Sequence, residues 1–203
     1  MLRIALIFTL SFAGAAFAKT EKAIVAGGCF WCVESDFESV PGVISVVSGY
    51  TGGSSENPTY ENHEGHYEAA KITFDSSKIT YAELIAKFLR SIDVTDAGGQ
   101  FCDRGNAYRT AIFALDADQK AAAKTAVADA SAVLGQKVVT PVAGAKTFWP
   151  AEDYHQNYYR STEIVVTRRG PKQKANAYKF YRDACGRDAR VKALWGKEAA
   201  FAH

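Results

Sequence analysis

Two cysteines separated by two residues, Cys29 and Cys32, stand in the segment Gly27-Gly28-Cys29-Phe30-Trp31-Cys32. The apolar run 23–26 before them reads as a buried strand that stops at the two glycines. After them Val33, Phe37 and Val40 recur at helical spacing. A thiol at such a strand-to-helix junction meets unpaired backbone N–H groups and the positive end of the helix dipole. Both favour thiolate, the nucleophilic form. The glycines let backbone approach a bound group closely, and Phe30 and Trp31 set large apolar surfaces beside the sulfur. That combination suits attack on something small and partly apolar. Other readings remain open at this point, namely a structural disulfide, half a metal site, or a thioredoxin-type redox pair. A zinc site wants a second closely spaced pair, whereas Cys102 and Cys185 lie far apart, and Val33 after Cys32 excludes haem attachment through C-x-x-C-H.

The elements that must position this thiol follow from periodicity and punctuation. Pro41-Gly42 ends the first helix. Residues 43–50 read as a strand, 52–65 as a long polar loop and 67–74 as another strand. Thr80-x-x-Glu83 forms a capping box ahead of Leu84, Ile85, Phe88, Leu89 and Ile92, which share one helical face. A loop over 93–106 leads to a strand at 109–114. Asp116 then caps an alanine-rich helix that Gly135 terminates. A short strand is expected at 137–142. Beyond Thr162 only Ile164-Val165-Val166 looks regular before a basic tail. The order predicts one α+β domain, with a ferredoxin-like two-layer core and helices packed on a mixed β-sheet.

The chain has 203 residues, 48% hydrophobic and 23% charged, which is ample for one full hydrophobic core and argues against disorder. A formal charge of +2 gives no reason to invoke nucleic acid or an anionic membrane as a partner. The first eighteen residues form a separate unit: Arg3, an apolar run over 4–17, and Ala16-Phe17-Ala18. Together they read as a secretory signal peptide cleaved after Ala18, too short for a bilayer span. The expectation is export, to a periplasm, of a single domain over 19–203 with no stable membrane insertion. An oxidising compartment makes cysteine chemistry the natural place to seek function.

Six motifs then occur in order: Gly28-Cys29-Phe30-Trp31, Gly49-Tyr50-Thr51-Gly52-Gly53, Asn57-Pro58-Thr59-Tyr60, Gly65-His66-Tyr67-Glu68, Asp103-Arg104-Gly105-Asn106-Ala107-Tyr108-Arg109 and Ala151-Glu152-Asp153-Tyr154-His155-Gln156. In this register the chain resembles the peptide methionine sulfoxide reductase A family. The resemblance implies that Cys29 attacks the sulfur of a methionine S-sulfoxide, in oxidised proteins or as the free amino acid, and becomes a sulfenic acid. It assigns proton supply and hydrogen bonding at the departing oxygen to Glu68, Tyr60 and Tyr108, with Asp103 in the same pocket. Phe30 and Trp31 would hold the S-methyl group. Desolvation beside these rings should keep a carboxyl protonated near neutrality.

No cofactor or metal is implied, only an external dithiol of thioredoxin type to reduce the disulfide that resolves the sulfenic acid. The family commonly places its resolving cysteine near the C-terminus, so Cys185 is expected to pair with Cys29. Position 32 is commonly glycine there, and the resemblance brings Cys102 near the pocket. Cys32 and Cys102 are therefore a possible second redox pair, with Cys32 as an alternative resolving thiol. Two competing classes are a thioredoxin-like oxidoreductase working through Cys29 and Cys32, and a disulfide-stapled binding module. His66 and His155 are expected in hydrogen-bonding roles, and the basic tail, including Arg168, Arg169, Lys172, Lys174, Arg182 and Arg187, as a solvated surface.

Overall fold

The computed structural model describes residues 19–202, so the segment read as a signal peptide lies outside the described residues. Strand β1 (Thr20–Gly27) runs into helix α1 (Phe30–Glu38), followed by β2 (Val43–Thr51) and β3 (Tyr67–Asp75). Helix α2 (Tyr81–Leu89) begins at the expected capping box. The Thr80 hydroxyl accepts from the Glu83 amide at 3.2 Å and the Glu83 carboxylate accepts from the Thr80 amide at 2.8 Å. Two short strands, β4 (Gly99–Gln100) and β5 (Asp103–Arg104), form a hairpin before β6 (Thr110–Ala114). Helix α3 (Ala117–Leu134) starts where the Asp116 carboxylate accepts from the Gln119 amide, and it ends at Gly135 with φ +62°.

β1, α1, β2, β3, α2 and β6 make the ferredoxin-like core, with its inner strands in the order β6-β1-β3-β2. β3 lies between β1 and β2 and runs antiparallel to both, so β1 and β2 are joined by a crossover that carries α1 over one face. The outer strands are β7 (Val142–Gly144), parallel to β6, and β8 (Trp149–Pro150), antiparallel to β2, which makes the sheet mixed. Val25, Ile72, Phe74 and Ile112 of one sheet face pack on Val33 and Phe37 of α1, Leu84, Ile85, Phe88 and Leu89 of α2, and Ala123 and Ala130 of α3. The other face carries a thinner layer, Ile24, Ala26, Ala69, Ala111 and Phe113. Both faces are covered, which explains why β1 reads as a continuous apolar run.

Two stretches depart from the sequence reading. The strand expected at 137–142 starts only at Val142, because Pro141 has no N–H to give to a ladder; its carbonyl still accepts from the Ile112 amide at 2.9 Å. The basic tail is solvated only in part: Arg168, Arg169 and Lys179 are exposed, whereas Lys174 and Arg187 are buried. After β9 (Ile164–Thr167) come β10 (Gly170–Gln173), α4 (Lys174–Ala184), whose Tyr178 and Tyr181 pack at the N-terminal end of α1, and α5 (Arg187–Trp195), whose Val191 and Trp195 join the main core. Arg187 is 2% exposed and donates to the carbonyls of Ser91 and Gly27, each at 2.8 Å. Arg182 bridges Asp36 and Asp188, and buried Lys174 pairs with Glu163. Arg182 and Arg187 cross-link the tail to the core.

Candidate active site

Cys29 is the N-cap residue of α1, and its carbonyl accepts from the amides of Cys32 and Val33. The preceding turn needs Gly28, which sits at φ +80°. A Cβ there would also come within 2.6 Å of the Gln100 side chain. The first amide of the helix, that of Phe30, donates to the Glu68 carboxyl at 3.1 Å. An N–H that has no partner within the helix thus holds the carboxyl next to the thiol. Glu68 projects from β3 opposite Tyr50 of β2 and is 2% exposed, so its carboxyl is shut away from bulk water.

Cys29, Phe30, Trp31, Tyr60, Glu68, Asp103, Tyr108 and Tyr181 together line a pocket of about 90 Å³. All of the expected oxygen-binding and methyl-binding side chains therefore meet at one place. The Trp31 ring stacks on Tyr158 with centroids 3.8 Å apart and planes 11° apart, and Phe30 packs on Tyr50 and His155. Tyr60 comes from the long loop and is tied down by its amide, which donates to the Glu152 carboxylate at 2.8 Å. The same carboxylate accepts from the Tyr50 hydroxyl at 3.1 Å. Tyr60 and Tyr108 are hydrogen-bonded to one another, and the Tyr181 hydroxyl donates to Asp103.

The electrostatics correct one expectation. Burial pushes the Cys29 thiol up, with its hydrogen bond to Cys32 and the carboxyls of Glu68 and Asp103 adding to the effect. Loss of water outweighs the helix N-terminus, and the negative charge of the pair falls on Cys32. That thiol is brought down to about 6 by the hydrogen bond from Cys29, with Arg187, Arg182 and a Tyr178 hydrogen bond helping against burial. Desolvation raises Glu68 to about 8, despite its bond from Phe30, and raises Asp103 as well. Burial also holds Tyr60 and Tyr108 in their protonated, donating form. At neutral pH the pocket therefore offers a protonated carboxyl, two phenols and a sulfur whose proton has an adjacent thiolate to go to.

The cysteines are arranged differently from the expected pairs. Cys102 and Cys185 are joined in a disulfide with Cα atoms 4.9 Å apart, while Cys29 and Cys32 are free and in contact. Cys185 is thus engaged away from Cys29, and Cys32 and Cys102 do not form a pair. Cys102 precedes Asp103 and Cys185 follows α4, which carries Tyr181, so their bond clasps the tail to the pocket wall. Free thiols at the pocket also remove the stapled binding module, which would have none.

Of the two histidines, His66 meets Ser55 through Nε2, as a hydrogen-bonding role requires. His155 does not: it is buried among Phe30, Trp31, Tyr60 and Tyr154 with neither ring nitrogen hydrogen-bonded. Burial lowers it to about 4, so it is neutral. Sequence reasoning missed Tyr181, Tyr178 and the electrostatic roles of Arg182 and Arg187. One signal could have found them: Tyr178, Tyr181, Arg182 and Cys185 follow the i, i+3, i+4, i+7 spacing of one helical face.

The profile of the family described as peptide methionine sulfoxide reductase matches residues 21–189. The chain is 50% identical over 184 residues to Peptide methionine sulfoxide reductase MsrA 2 of Rhizobium meliloti (strain 1021), covering 90% of this chain and 87% of that protein. It is 43% identical over 182 residues to Peptide methionine sulfoxide reductase MsrA 2 of Caulobacter vibrioides, covering 88% and 87%. Among solved structures, methionine sulfoxide reductase A of Corynebacterium diphtheriae superposes with a TM-score of 0.65 at 29% identity. The match spans 68% of this chain and 73% of that one.

Proposed function

The chain belongs to the peptide methionine sulfoxide reductase family and has that activity, and from this premise we propose how its own residues carry the reaction. Cys29 gives its proton to the Cys32 thiolate and attacks the sulfoxide sulfur. Glu68 protonates the oxygen as its bond to that sulfur weakens, while Tyr60 and Tyr108 hydrogen-bond it. Oxygen ends on Cys29 as a sulfenic acid and the thioether leaves. The Cys32 thiol then attacks the Cys29 sulfur, water departs, and a Cys29–Cys32 disulfide forms. The two electrons that reduced the sulfoxide come from these two thiols, and an external dithiol of thioredoxin type restores them. Asp103 and Tyr181 complete the wall. Phe30 and Trp31 receive the methyl group, the acid and the phenols hold the oxygen, and the thiol meets the sulfur itself. Three fixed contacts accept one epimer, the S form.

The observation that carries this reading is the contact of two free thiols beside a buried, protonated carboxyl. It replaces Cys185 by Cys32 as the resolving residue. Peptide mapping after one equivalent of methyl S-sulfoxide is expected to give a Cys29–Cys32 linkage, with Cys102–Cys185 unchanged. In Cys32→Ser, one thioether should still be released per enzyme and the sulfenic acid should persist. A Cys29–Cys185 linkage in the wild type would overturn the assignment. Export belongs to the same proposal, on the strength of Arg3, the apolar run and Ala16-Phe17-Ala18. A mature protein recovered outside the cytoplasm with Lys19 as its first residue is the expected result.

A further inference from the structure

The aromatic wall of the catalytic pocket has a second side. Behind Trp31 and Tyr181 opens a groove of about 330 Å³, against about 90 Å³ for the pocket that holds Cys29. Tyr178 and Phe180 of α4 extend its apolar lining, and the β9–β10 hairpin brings Arg168, Arg169 and Lys172 to its rim. No carboxylate lines it. Among the described residues none of these three cations takes part in an ion pair. The Arg169 guanidinium lies 4.3 Å from the centre of the Phe180 ring, which leaves an apolar floor under a positive edge. Val166 on the same hairpin is 81% exposed.

A methionine sulfoxide within a polypeptide arrives with chain on both sides, and that chain must cross whatever surface adjoins the pocket. Trp31 and Tyr181 belong to pocket and groove alike, so the groove adjoins the pocket. We propose that this groove binds the residues flanking an oxidised methionine and selects segments that carry apolar and acidic side chains. The proposal rests on the reading that the Cys29 pocket takes the sulfoxide group. A free amino acid fills that pocket without reaching the rim, whereas a peptide reaches both. Charge complementarity then favours Asp and Glu beside the methionine, and the aromatic floor favours a neighbouring Leu or Phe.

The test uses the mature protein with dithiothreitol as reductant and three substrates of the same S epimer: free methionine sulfoxide, a peptide with Glu and Leu around it, and a peptide with Lys in place of Glu. The wild type is expected to favour the acidic peptide in kcat/KM. Combined Arg168→Glu, Arg169→Glu and Lys172→Glu should lower kcat/KM for that peptide about tenfold and reverse the preference. The free amino acid should be unaffected. Equal losses on all three substrates, or unchanged peptide kinetics, would overturn the proposal. A defect seen only when a protein dithiol replaces dithiothreitol would overturn it too, by assigning the groove to the reductant. Absence of wild-type turnover on all three substrates would instead strike the catalytic reading itself, because all three present the sulfoxide to the same pocket.

Discussion

At the level of single residues, the reaction depends on where one proton and one negative charge sit. Cys29 stays a thiol because it is buried, and Cys32 carries the charge because it receives a hydrogen bond and faces two guanidiniums. Glu68 keeps its proton because its carboxyl has lost water. These shifts give a pH profile with a definite sign. Sulfoxide reduction in a single turnover should rise as Cys32 loses its proton near pH 6 and fall as Glu68 loses its own near pH 8. In Glu68→Gln the amide oxygen can still accept from Phe30, but no proton can be given. The rate of that step should drop by about 10² to 10³, and the alkaline limb should vanish. Stopped-flow or quenched measurements across pH 5 to 9 read both outcomes. A Glu68→Gln profile that kept the alkaline limb would assign that limb elsewhere.

At the level of elements, the site is a meeting of chain segments that each bring one group. Helix α1 brings the thiols, β3 the acid, the long loop Tyr60, the β4–β5 hairpin Asp103, and α4 Tyr181. The C-terminal helices serve α1 in a second way, since Arg187 of α5 donates to the Gly27 carbonyl at the strand end that feeds the site. Arg187→Met should leave the carbonyls of Ser91 and Gly27 without this partner and cost about 3 kcal/mol of stability. It should also raise the Cys32 thiol, because a nearby positive charge is lost. Chemical denaturation measures the first effect. The pH dependence of Cys32 alkylation in a Cys29→Ser background, compared with and without Arg187→Met, measures the second. A purely structural arginine would move only the first.

At the level of the whole molecule, the Cys102–Cys185 disulfide closes a loop with a sequence separation of 83 residues. A chain-entropy treatment gives such a cross-link about 4.5 kcal/mol of stabilisation, acting mainly through the unfolded state. Its position adds a consequence for the site, because it clasps Asp103 and α4, the two sources of the hydrogen bond between Tyr181 and Asp103. The double variant Cys102→Ser, Cys185→Ser is therefore expected to unfold at lower denaturant concentration and to raise KM for methyl sulfoxides. It should retain the Cys29–Cys32 linkage after one turnover. Loss of that linkage in the double variant would mean that the outer cysteines take part in resolution.

Much of this arrangement was legible in the sequence wherever the information is local. Apolar runs ended by glycine, the Thr80–Glu83 box and the Asp116 cap with Gly135 were enough for β1, α2 and α3, because caps and periodicity act within a turn or two of chain. The six motifs likewise named Cys29, Glu68, Tyr60, Asp103 and Tyr108, which the fold then brought to one pocket. Tertiary structure alone decided the rest. The pairing of cysteines depends on which segments come within bonding distance, and four thiols in a sequence carry no such distances. The charge on Cys32 rather than Cys29 depends on burial and on guanidiniums that arrive more than a hundred residues later in the chain. Helices α4 and α5 depend on cross-links from Arg182 and Arg187 to groups that only the folded core brings near, so their polar sequences look like exposed tail until the core is there to receive them.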